Sequence, residues 1–215
     1  MFVDRAAWPF LAAATVAAGL LAALLGALWA APALVLAAFF VFFFRDPRRT
    51  APTEPGLVVS PADARITVAG DPPGPGAPPG QWRHVSMFLS LFDVHVNRFP
   101  ISGFSTFLGY FPGKRYFTFD EKSSDYNQHN AILVRNEETS CLIRQIVGPV
   151  CRRVVYWPRE DKTTIVEQGG RFGMMKFGSR LDMYFPKDDI RMVAKIGDQV
   201  TAGETIIARL VRKEK

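Results

Sequence analysis

Cysteine and histidine are scarce in this chain. Only Cys141 and Cys151 represent the first, and only His84, His95 and His129 the second, among 215 residues. The two cysteines match no zinc-ligand spacing, so no metal site is predicted, and a reducing compartment is the simplest setting. Charge is absent altogether from Ala6 to Phe44, where Thr15 is nearly the only polar residue. Elsewhere the balance is mildly basic, +6 overall, with no nucleic-acid motif beside it. No nucleic-acid partner is expected; the excess suits an anionic membrane surface or an ordinary basic domain.

The uncharged run is too long and too uniformly apolar for a core helix. It also exceeds the apolar stretch of a signal peptide, and no small-residue cleavage site leads into a polar start; the run ends at Phe44-Arg45 instead. A retained N-terminal hydrophobic helical anchor over residues 1–50 is therefore expected, with a soluble domain over 51–215. As one helix the run would reach about 58 Å at 1.5 Å per residue, against a hydrocarbon core of about 30 Å. A bend is required, and Gly26 and Pro32 bracket it. A hairpin brings Arg5 to the same side as Arg45, Arg48 and Arg49, which the positive-inside bias places in the cytoplasm. One span plus an interfacial helix is the other reading.

After the anchor the pattern is mainly β. Alternating runs predict strands at 57–60, 65–69, 84–89, 94–98, 104–110, 131–135, 141–147, 152–157, 181–185, 192–194 and 205–211. The Pro/Gly-rich segment 70–80 can hold neither helix nor ladder and reads as a loop, with a membrane-touching lid as the sharper alternative. The segment 193–207 resembles the half-motif of lipoyl and biotinyl carrier domains, a strand, a Gly-Asp turn and Ala-Gly-Glu before the next strand. It lacks the carrier lysine at a hairpin tip, so a lipoyl-like hairpin element is expected without carrier function.

One dipeptide stands out. Gly178-Ser179 is the only Gly-Ser in the chain and lies between two strand-like runs. Alone it is a turn signal. Its neighbours give it weight: Phe43-Phe44-Arg45-Asp46-Pro47, Ser60-Pro61-Ala62-Asp63-Ala64, Phe92-Asp93-Val94-His95-Val96-Asn97-Arg98, Tyr110-Phe111-Pro112-Gly113-Lys114 and the stretch 173–186 occur in order. Over residues 40–211 the chain resembles the short, membrane-attached branch of phosphatidylserine decarboxylase proenzymes.

The resemblance implies self-cleavage between Gly178 and Ser179 into a β chain, 1–178, and an α chain, 179–215, headed by a pyruvoyl group made from Ser179. That group would act as electron sink, through a Schiff base, for decarboxylation of phosphatidylserine to phosphatidylethanolamine in phospholipid biosynthesis. Partners would be the phospholipid, the membrane and the two chains of one precursor, with oligomers left open. Asp63 matches the acidic member of the self-cleavage site; a turn aspartate after Pro61 is the plain alternative. His95 matches the histidine near the pyruvoyl and is the candidate proton donor, against a half-buried strand histidine.

There is one departure. Where long-form relatives carry a second histidine, this chain has Arg98, a poor general base. Either His95 serves both steps or another group activates Ser179. Arg98, Lys114 and Arg115 are candidate contacts for the substrate's phosphate or carboxylate. Two alternatives stand: a decarboxylase of a related serine-headgroup lipid, and a membrane-anchored lipoyl-like adaptor without catalysis. The second leaves Asp63, His95 and Gly178-Ser179 unexplained.

Overall fold

The computed structural model describes residues 2–70, 77–120, 122–149, 154–176 and 179–211. The chain divides into two compact units, Met1–Arg48 and Arg49–Lys215.

In the first unit, strand β1 (Phe2–Val3) precedes helix α1 (Trp8–Leu25), and helix α2 (Ala31–Phe43) precedes strand β2 (Arg45–Asp46). Asp4 caps the entry, accepting from the Ala6 amide at 2.8 Å. Gly26 ends α1 at φ +102°, a conformation side chains resist, and a 3-10 turn over Ala27–Ala30 redirects the chain. The helices then run back to back. Ala14 and Ala18 of α1 and Ala33 of α2 are buried, and such small residues let backbones approach closely. Phe10 packs on Phe40 and Phe44 with centroids 5.1 and 5.4 Å apart. The β1–β2 pair, Phe2 opposite Asp46, closes the hairpin. Its outer faces stay apolar: Leu24, Leu28 and Val35 are all at least 70% exposed. The segment Arg5–Leu25 is long and apolar enough to cross a bilayer.

The second unit is almost all strand: β3 (Leu57–Val59), β4 (Ala64–Gly70), β5 (Trp82–Leu89), β6 (Val96–Arg98), β7 (Gly103–Phe111), β8 (His129–Arg135), β9 (Ser140–Val147), β10 (Val154–Tyr156), β11 (Thr164–Val166), β12 (Arg171–Met175), β13 (Ser179–Pro186), β14 (Ile190–Met192), β15 (Gln199–Val200) and β16 (Ile206–Leu210). One short helix, α3 (Ser123–Tyr126), interrupts them. Eight strands form one antiparallel sheet in the order β11-β7-β8-β9-β13-β5-β4-β15. Two three-stranded sheets, β10-β12-β6 and β14-β16-β3, complete the unit.

The fold is mainly β, as the sequence pattern predicts. The pattern does not single out β11, β12 and β15: β11 and β15 are three and two residues long, too short to show alternation, and β12, Arg171-Phe172-Gly173-Met174-Met175, does not alternate. The core lies on one face of the large sheet. Leu181, Met183 and Phe185 of β13 meet Val85, Met87 and Leu89 of β5 and Ile143 of β9, all fully buried. Each such side chain contributes about 1.5–3 kcal/mol. Gly173 in β12 allows the tight seam with β10; a Cβ there would sit 2.2 Å from the Val155 carbonyl oxygen. In the carrier-like segment, the Gly197-Asp198 turn hooks onto β4 through Gly197 N–H to Ile66 O at 2.9 Å and Ile66 N–H to Asp198 O at 2.9 Å.

Candidate functional site

Ser179 is the first residue of β13, the strand between β9 and β5 in the large sheet. Its ladder partners are Leu89 and Val147, both fully buried. Counting in twos from Leu181 puts Ser179 on the core face. Its side chain is inaccessible to solvent, and its hydroxyl has no hydrogen-bond partner among the described residues. Buried hydroxyls are nearly always paired, so an orphan at the head of a central strand calls for a chemical explanation. Gly178, the other half of the predicted scissile pair, lies outside the described residues.

His95 is connected to this end of the sheet by two routes. Beyond Leu89 the chain turns through Ser90–Asp93, held by the Asp93 carboxylate on the Ser90 amide at 2.7 Å, and delivers His95 just before β6. β6 pairs with β12, and the Met175 amide donates to the His95 carbonyl at 3.2 Å. Met175 is four residues ahead of Ser179. The His95 ring is fully buried, with Nδ1 2.9 Å from the Asp93 carbonyl oxygen. A carbonyl only accepts, so Nδ1 carries hydrogen and Nε2 is the basic nitrogen of the neutral ring.

Asp63 lies at the same end of the sheet. Arg65 and Arg180 both pair with Phe88, so Asp63 is two strands from Ser179, about 10 Å at the usual strand spacing. Its carboxylate is held by Arg49 Nη2 at 2.7 Å and by the Ala202 amide at 2.8 Å. Arg49 also reaches Glu204 at 3.2 Å. Neither Asp63 nor His95 is hydrogen-bonded to the Ser179 hydroxyl, which has no partner.

The three cations part company. Arg98 is buried against the Gly169 turn, Nη1 donating to the Gly169 carbonyl at 3.0 Å. Its amide donates to Pro61 O at 2.9 Å, which ties β6 to the Asp63 segment. Lys114 and Arg115 are exposed, bonded to Tyr116 Oη at 3.1 Å and Gln128 Oε1 at 3.0 Å. They still belong to the Ser179 end of the sheet. The Val147 amide donates to Gln128 O at 3.0 Å, and Asn127 Nδ2 donates to Val147 O at 2.8 Å and to Tyr116 O at 2.7 Å.

Sequence reasoning missed the other face of β13. Arg180, Asp182 and Tyr184 alternate with the core residues, a pattern that normally marks a wet face, yet all three are buried. Asp182 gathers Ser86 Oγ, Arg180 Nε at 3.4 Å, Tyr184 Oη at 3.4 Å and His84 Nε2 at 3.3 Å. Burial alone would raise the Asp182 carboxyl; His84, Arg180 and Ser86 outweigh it and hold it at about 2. His129 stacks on Phe111 at 5.2 Å, and burial lowers its pKa. No cluster of three or more potential metal ligands exists among the described residues.

The phosphatidylserine decarboxylase family model matches residues 36–208. A phosphatidylserine decarboxylase proenzyme of Symbiobacterium thermophilum is 39% identical over 211 residues, covering 97% of this chain and 95% of that protein. Proenzymes of the same name from Cupriavidus taiwanensis and Chlorobium chlorochromatii are 36% and 41% identical, covering 97% and 82% of this chain and 95% and 82% of their own length. No solved structure gives a significant match.

Proposed function

Because the chain belongs to the phosphatidylserine decarboxylase family, we propose that it is the precursor of an enzyme that converts phosphatidylserine to phosphatidylethanolamine, and that Ser179 is the residue from which its pyruvoyl group is made. The observation that carries this reading is the buried, unpartnered Ser179 hydroxyl at the head of β13. Among the described residues no hydrogen bond occupies that hydroxyl, which in this reading attacks the Gly178 carbonyl. Attack there forms an ester, elimination breaks the Ser179 Cβ–O bond and releases chain 1–178 with its new carboxylate, and hydrolysis expels the Ser179 nitrogen as ammonia. The pyruvoyl group left on chain 179–215 supplies an electron sink for decarboxylation.

The surrounding residues have distinct tasks. Leu89 and Val147 keep water from the site on either side of the strand. His95, with Nδ1 fixed on Asp93, offers Nε2 as the group that holds and returns the proton at the carbon losing carboxylate. Asp63 serves self-cleavage from its clamp of Arg49 and Ala202. Lys114 and Arg115 supply positive charge for the lipid phosphate, while Arg98 braces β6 against the Gly169 turn. The N-terminal hairpin acts as the membrane anchor. Its paired ends collect Arg5, Arg45 and Arg48 on one side, and the positive-inside bias supports a cytoplasmic side for those ends.

Intact mass under denaturing conditions tests the reading. A processed protein yields chains 1–178 and 179–215 in place of one 23.9 kDa chain. The shorter is about 17 Da lighter than its unmodified sequence, the mass of the lost ammonia. Ser179→Ala should stay whole and inactive; a cut Ser179→Ala chain would show that the site is elsewhere.

A further inference from the structure

Of the two ladder partners of Ser179, Leu89 leads into one exposed apolar loop and Val147 lies beside another. Past Leu89 come Leu91 and Phe92, 45% and 71% exposed. Beside Val147, the Asn127 clamp holds Tyr116, and the chain continues through Phe117 and Phe119, 59% and 67% exposed. The two phenylalanines stack on each other at 5.2 Å while Thr118 between them is buried. A turn bond from the Asp120 amide to Phe117 O, 3.0 Å, fixes the pair outward. Burying two rings would be worth several kcal/mol, so a folded unit that instead presents them on a braced turn has another use for them.

We propose that this rim is a bilayer-docking surface of the second unit, additional to the N-terminal hairpin, which seats the Ser179 end of the sheet on an anionic lipid surface. The inference rests on the decarboxylase reading for its substrate, a diacyl lipid that stays in the bilayer. Two observations choose lipid over a protein partner. The apolar residues are chiefly aromatic, the type favoured at the membrane interface. Lys114 and Arg115 stand beside them, matching anionic headgroups. The rim flanks the site on both sides, so docking it brings headgroups to Ser179.

The test uses the full chain in phosphatidylcholine vesicles with and without phosphatidylglycerol, brominated in the acyl chains. A fluorophore is attached at Phe117→Cys or, as control, at Glu138→Cys, each in a Cys151→Ser chain. Cys141 is fully buried and stays unlabelled. Glu138 is exposed on the β8–β9 turn, and β9 runs from Ser140 beside that turn to Val147, seven steps or about 23 Å of strand. In phosphatidylglycerol vesicles the label at 117 should be quenched at least about twofold more than the label at 138, since interfacial side chains sit about 5–10 Å deep. Equal quenching at the two positions, or none at 117 in vesicle-bound protein, overturns the proposal, as does failure to bind vesicles. Shielding at 117 that grows with protein concentration and ignores brominated lipid would assign the rim to a second copy and overturns it too. None of these readouts needs turnover. An inactive chain quenched at 117 sinks the decarboxylase reading alone, and an active chain unquenched there sinks the docking alone.

Discussion

His84 and Asp182 face each other across β5 and β13, Nε2 to Oδ2 at 3.3 Å, three residues from Ser179 on the opposite face of its strand. Around this pair Ser86, Arg180 and Tyr184 share one carboxylate that is wholly buried. The chemistry proposed for Ser179 thus rests on a strand whose two faces are built differently, one apolar and one ionic.

Asp182→Asn should therefore destabilise the unit sharply. It keeps the shape but leaves Arg180, 1% exposed, without its counter-charge. Breaking a buried pair by removing one partner costs about 3–5 kcal/mol. A thermal melt of purified protein checks this; a shift below a few degrees would mean that the network carries little energy.

Acid should expose the same network. Asp182 ionises at about 2, below the ordinary value of 3.8, because its partners outweigh burial. A depressed carboxyl stabilises the fold above the unfolded value and loses that contribution as pH falls through the folded one. Stability should drop between about pH 4 and pH 2, by about 2–3 kcal/mol from this group. Urea titrations at stepped pH measure it, and an Asp182→Asn chain should lack that portion of the slope.

Much of this candidate site is legible in sequence because its parts are local. Gly178-Ser179, Asp63 and His95 each sit in a short recognisable string, and β strands follow from alternation. The Asp182 network is not legible for a definite reason. Arg180, Asp182 and Tyr184 alternate with apolar residues as an exposed strand face does, and only the register with β5 and β9 brings His84, Ser86 and Arg144 opposite them. The Arg49–Asp63 pair spans a Pro-rich linker, and the Ala202–Asp63 bond spans 139 residues. No local pattern encodes either. Arg98 reads as an available cation, while its burial on Gly169 depends on a turn that β12 positions.

Asp63→Asn separates the two roles open to that residue. Asparagine keeps an oxygen for the Ala202 amide and drops the charge that pairs with Arg49. The lost charged hydrogen bond costs about 1.5–3 kcal/mol, which the fold should survive. Self-cleavage should stop, leaving full-length chain on a denaturing gel. Normal cutting in a folded Asp63→Asn protein would reduce Asp63 to a structural clamp between the linker and the Thr201–Thr205 turn.

His95→Asn tests the proton donor with the least disturbance. The asparagine amide can still donate to the Asp93 carbonyl, as His95 Nδ1 does at 2.9 Å, but nothing replaces Nε2. Turnover of phosphatidylserine should fall by about 10²–10⁴, the usual loss for a general acid or base. Cutting is the second readout. With Arg98 where a second histidine would stand, one histidine has to serve both maturation and turnover, or maturation has another base. Uncut His95→Asn chain would assign both steps to His95. Cut but inactive chain would confine it to turnover and direct the search for the activating base to Asp63. Full turnover would remove His95 from the mechanism and leave its buried ring as packing between Asp93 and Met175.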